Sequence, residues 1–131
     1  MGRYISTTGT AGVVTREVNS TFNATVNDRI LADSSSAGFT ITLPASTTLL
    51  LNDTIQIIDA TSSAGTNAIT IARNGAKIQG AAEDLTFDIT GGIVTMIYTG
   101  TTYGWIVGAV SSVLIIIVVT NFVKEKVTWQ V

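Results

Sequence analysis

Between Phe39 and Trp105 the sequence repeats one device: short runs in which apolar residues alternate with Thr, Asp or Gln, each closed by Gly, Asn or a Ser-Ser pair. The runs read FTITLP, NDTIQIIDA, TNAITIARNGAKIQG, EDLTFDITGG, IVTMIYTG and TTYGW. Successive side chains of a strand point to opposite faces, so a period of two describes a succession of half-buried strands. The spacing puts Phe39, Ile41 and Leu43 on one face, and likewise Ile55 with Ile57, Ile69 with Ile71, Leu85 with Phe87 and Ile89, and Tyr103 with Trp105 and Val107. IVTMIY is apolar on both faces and reads as a central strand. Asn74-Gly75 predicts a two-residue hairpin turn between ITIAR and AKIQG, because such a turn needs positive φ at both central positions. Gly91-Gly92 predicts a further turn.

Residue usage supports strands. Thr is the commonest residue and Ile outnumbers Leu more than two to one, and β-branched side chains suit a pleated surface better than a helix. With 46% apolar and 12% charged residues in 131, the chain is long enough to bury a core and unlike a disordered one. The expected fold is all-β with almost no helix: one antiparallel β-sandwich or small barrel over residues 11–110, an N-terminal arm over 1–10, and a C-terminal β-hairpin or docking arm over 111–131.

The flanks read differently from the centre. Residues 1–10 (MGRYISTTGT) have no sustained apolar face and none of the features of a signal peptide, so they read as an arm whose Tyr4 and Ile5 anchor on a neighbouring subunit. Residues 12–26 alternate loosely and predict an exposed strand. Residues 113–119 (VLIIIVV) are apolar at every position, and 124–131 then alternate, with Val127, Trp129 and Val131 opposite Lys126, Thr128 and Gln130. Burying seven such side chains contributes roughly 10 kcal/mol at about 1.5 kcal/mol each, an upper figure because unfolded chains are themselves compact. Left in water they are an aggregation hazard. The pattern therefore assigns Val113, Ile115, Ile117, Val119, Val127 and Trp129, with Tyr4 and Ile5, to contacts between subunits or with a partner.

Reactive chemistry is scarce. The chain has no cysteine and no histidine, which removes disulfides, thiolate metal sites and the commonest general base. The net charge is −2 and the basic residues are scattered, so the footprint of a nucleic-acid binder is missing. Asp53, Asp59, Glu83, Asp84 and Asp88 include no calcium-loop pattern, and most sit at predicted strand ends, where Asp caps turns. Tyr98, Tyr103, Trp105 and Trp129 offer a possible sugar-stacking platform, against which stands ordinary core or interface packing. A membrane span over 106–123, with small residues at Gly100, Gly104 and Gly108, is opposed by Ser111, Ser112 and the short fully apolar part. Acceptor triplets at Asn19, Asn23 and Asn52 are what a Thr-rich chain produces by chance. The reading is no catalytic residue, no cofactor, no metal, no nucleic acid and no membrane span.

The central block resembles a module of structural proteins in tailed bacteriophages, in particular capsid-decoration and tail-fibre proteins of cyanophage-like viruses. The residues that carry the resemblance are 38–44 (GFTITLP), 52–60 (NDTIQIIDA), 66–80 (TNAITIARNGAKIQG), 83–85 (EDL) and 98–105 (YTGTTYGW), within a block that covers about half of the chain. The resemblance implies a non-enzymatic, homotrimeric protein of the virion. Between virion positions, a compact domain with sticky ends suits a decoration or cement protein that bridges the major capsid protein or another virion protein. The alternatives are a tail-fibre, collar or other tail-associated protein, or a carbohydrate-binding module that recognises host glycans.

Overall fold

The computed structural model describes residues 12–111 of the chain. Nine strands follow one another there: β1 (Val14–Val18), β2 (Phe22–Asn23), β3 (Asp28–Ala32), β4 (Thr40–Thr42), β5 (Thr54–Asp59), β6 (Ile69–Ala72), β7 (Leu85–Phe87), β8 (Gly92–Tyr98) and β9 (Trp105–Ser111). Helix is confined, among the described residues, to one 3-10 turn at Ser46–Thr48. The all-β expectation holds for this part of the chain.

The strands form two sheets, in the orders β1-β3-β5-β8-β9 and β2-β4-β6-β7. As far as β6 the chain alternates between them. Neighbours within a sheet are therefore two strands apart in sequence and run parallel: β1 with β3, β3 with β5, β2 with β4 and β4 with β6. Only the later pairs, β6–β7, β5–β8 and β8–β9, are antiparallel. This corrects the antiparallel expectation, and among the described residues both sheets keep edge strands, so they form no closed barrel. The physical reason lies in the crossover. Parallel neighbours need a connection long enough to return the chain to its starting end, usually a helix; here a strand of the other sheet does that.

Both sheets contribute to one core. Ile30, Ile55, Ile57, Val94, Met96 and Trp105 come from the five-stranded sheet, and Ile41, Ile69, Ile71 and Phe87 from the four-stranded one. Leu43 is also buried, while Phe39, Leu85, Ile89 and Val107 pack partly buried around the cluster. The expected faces are therefore largely as the alternation set them. β8 takes the expected interior place, between β5 and β9. Tyr103 is the exception: it lies in the turn before β9 and is 61% exposed, whereas Trp105 is wholly buried.

The turn at Asn74-Gly75 forms, but not the hairpin. Both residues have positive φ, 48° and 95°, and the Ala76 N–H closes the turn on the Arg73 carbonyl at 3.3 Å. The chain then leaves β6, whose antiparallel partner is β7, and lies along the start of β9. The Trp105 N–H donates to the Lys77 carbonyl (2.8 Å), and the Gln79 N–H donates to the Trp105 carbonyl (2.7 Å). Gly104 makes this approach possible: its φ is +69°, and a Cβ there would overlap the Lys77 carbonyl. Gly104→Ala is expected to destabilise the domain by about 2–4 kcal/mol, combining backbone strain with overpacking. Urea unfolding of the variant checks this.

Candidate assembly surface

The carboxylates serve the backbone. Asp59, buried at the end of β5, accepts from the Ser63 N–H through Oδ1 (3.1 Å) and from the Ala64 and Gly91 N–H groups through Oδ2 (3.0 and 2.8 Å). Asp28, also buried, accepts from Arg16 Nε (2.7 Å) and the Thr25 N–H (2.7 Å). Asp53 accepts from the Leu50 N–H and Asp84 from the Arg73 N–H. The Ser35 hydroxyl and backbone N–H both donate to Asp33 and hold its carboxyl below the usual carboxylate range. Asp53, Asp59 and Asp84 thus follow the turn-capping expectation. Among the described residues no group of three or more acidic, His or Cys side chains is placed to hold a metal ion.

The sugar-stacking platform is split up. Tyr98 and Trp105 are both buried, meeting edge to face with centroids 5.6 Å apart and planes at 66°. Tyr103 stands outside, and Trp129 lies outside the described residues. Residues 106–111, the first part of the stretch weighed as a membrane span, belong to β9. Among the described residues no helix is long and apolar enough to cross a membrane.

What remains distinctive is apolar surface. On the side of the five-stranded sheet that faces away from the core, the register aligns side chains in rows. One row runs Glu17, Leu31, Ile58, Ile93, Val110; the next runs Thr15, Arg29, Gln56, Thr95, Gly108; a third contains Thr54, Ile97 and Ile106. Leu31, Ile58 and Ile93 are half-buried by their neighbours, while Ile97, Ile106 and Val110 are exposed. The middle row is polar and internally bonded: Arg29 Nε donates to Gln56 Oε1 (3.0 Å), and Gln56 Nε2 donates to Thr95 Oγ1 (3.2 Å).

Exposed apolar side chains also gather at one end of this sheet. β1, β3 and β5 start there, β8 ends there, and β9 starts there. Val13 and Val14 enter β1, Leu50 and Leu51 precede β5, Ile97 is the last residue but one of β8, Tyr103 lies in the following turn and Ile106 is the second residue of β9; all are exposed. Leu50 and Leu51, at 72% and 67% exposure, are absent from the sequence expectations. Their signal was the run Leu49-Leu50-Leu51, which breaks the alternation and stops at a turn whose Asn52 has φ 75°. Leu49 packs on the core, and the next two project from the loop.

The residues assigned from sequence to subunit or partner contacts, Tyr4, Ile5, Val113, Ile115, Ile117, Val119, Val127 and Trp129, all lie outside the described residues. The expected arm over 1–10 lies there too, as does all but the first residue of the expected 111–131 hairpin. Searches against protein-family models and against curated proteins find no match to this chain.

Proposed function

We propose that this chain is a non-enzymatic virion structural protein of a tailed phage, a capsid decoration or cement protein that self-associates as a homotrimer and bridges neighbouring virion subunits. The observation that carries the reading is the outward apolar row Leu31, Ile58, Ile93 and Val110, continuous in register across four strands of the five-stranded sheet, together with the exposed apolar side chains at the end of the sheet where β5 starts. Contiguous outward apolar side chains mark interaction sites. The resemblance over 38–105 supplies the class of assembly. The mechanism is mechanical: apolar area removed from water between subunits, together with strand addition along the sheet edges, clamps neighbours. Terminal segments attach the domain to the major capsid protein or another virion protein. A tail-fibre or collar position is the nearest alternative.

A glycan-binding module is the reading from another class. It requires an exposed tryptophan beside a groove, and the burial of Trp105 weighs against it. The proposal is tested by peptide mass spectrometry of density-gradient-purified particles of a phage carrying this gene. The chain is expected in the particles in fixed proportion to the major capsid protein. Its confinement to the infected-cell lysate, with none in the particles, overturns the proposal.

A further inference from the structure

We infer that the outer face of the five-stranded sheet is covered by residues 113–119 of a second copy of this chain, an inference that rests on the self-association proposed above. Four features point to that occupant. First, the row Leu31, Ile58, Ile93 and Val110 spans four adjacent strands. At about 4.8 Å per strand spacing this is roughly 14 Å of apolar surface. Seven extended residues reach about 23 Å, so the run is long enough to cover it.

Second, the polar row beside it is already bonded along its length, from Arg29 to Gln56 to Thr95. Covering the Gln56 and Thr95 side chains leaves them bonded to each other, which limits their desolvation cost, while the Arg29 head group stays at the edge of the covered area in water.

Third, β9 is the edge strand beside that row. The Gln79 side chain reaches the Val107 N–H at 3.2 Å, and among the described residues no strand borders β9 beyond it. The described chain ends at Ser111, opposite Gly92 and one residue beyond the Ile93–Val110 pair. The apolar run begins two residues later in the sequence.

Fourth, residues 113–119 are apolar at every position. One sheet face covers only one side of such a run. Even if its own sheet covers one side, the other side needs the outer face of a second copy.

The absence of cysteine allows a direct test. Chains carrying Ile93→Cys are co-expressed with size-tagged chains carrying Ile115→Cys or Ile116→Cys, which sample both sides of the run. They are then oxidised and resolved without reductant. A disulfide forms only where Cα atoms approach within about 7 Å. The expected result is an intermolecular cross-link of Ile93→Cys with at least one partner, several-fold above a control with Ala82→Cys, an exposed position before β7. Ile58→Cys, in the same row, repeats the test should Ile93→Cys fold poorly.

Three results overturn the inference. One is a cross-link that forms only within a chain carrying both cysteines, which places the run on its own sheet. Another is no cross-link from either row position while light scattering still finds an oligomer, which leaves self-association standing and moves its surface elsewhere. The third is a monomeric full chain, which removes both the inference and the self-association beneath it.

Discussion

Asp59→Ala lowers the unfolding free energy of the domain by about 3–5 kcal/mol, because one buried carboxylate holds three backbone donors. The Ser63 and Ala64 N–H groups belong to the β5–β6 connection and the Gly91 N–H to the turn that starts β8. Asp59 therefore ties two loops to the end of β5, beside the core. An orphaned buried donor costs about 1–3 kcal/mol. Ala64 is fully buried and meets the upper part of that range, whereas Ser63 and Gly91 are half-buried and recover some bonding from water. Asp59→Asn is milder, since the amide keeps one acceptor oxygen but turns donors toward donors. Urea unfolding reads both variants; a loss below about 1 kcal/mol for Asp59→Ala contradicts this bracing role.

Trp105→Ala costs about 3–5 kcal/mol, the range for deleting a large buried aromatic side chain. Trp105 is the largest of the fully buried side chains, it packs edge to face on Tyr98, and its backbone joins β9 to residues 77–79. Its indole Nε1 has no hydrogen-bond partner among the described residues. Trp105→Phe should therefore cost much less than Trp105→Ala, because it keeps an aromatic contact with Tyr98 and deletes a donor that is not bonded there. Equal losses for the two variants would show that the N–H matters more than the ring. Intrinsic fluorescence and urea midpoints measured together separate the outcomes.

The strands were legible because alternation depends only on each strand having one wet and one dry face. Ile41 with Leu43, Ile55 with Ile57 and Ile69 with Ile71 are buried as the pattern set them. Their pairing was not legible for the same reason, since a half-buried strand reads alike beside a parallel or an antiparallel neighbour. The Asn74-Gly75 signal named the turn correctly, but a tertiary contact, the Trp105 N–H donating to the Lys77 carbonyl, sets the path of the chain beyond the turn. Tyr103 was placed in a strand because TTYGW continues the alternation, yet Gly100 and Gly104, both with positive φ, turn the chain there first. The capping role of Asp53, Asp59 and Asp84 followed from their strand-end positions. The three separate donors on Asp59 did not, because Gly91 reaches it from 32 residues away.

The apolar outer face was hidden by the same ambiguity. Ile93 and Ile97 read only as the second apolar face of a central strand, and the register is what places them with Ile58 on the side away from the core. Leu50 and Leu51 were hidden by lying outside any alternating run.

The central claim is that this protein works by burying apolar surface between copies of itself. The most direct test is the mass in solution, by light scattering, of the full chain and of a chain ending at Val110. The claim predicts a trimer for the full chain and a folded monomer for the shortened one. A full chain that is monomeric throughout the concentration range, with the same mass behaviour as the shortened chain, contradicts it.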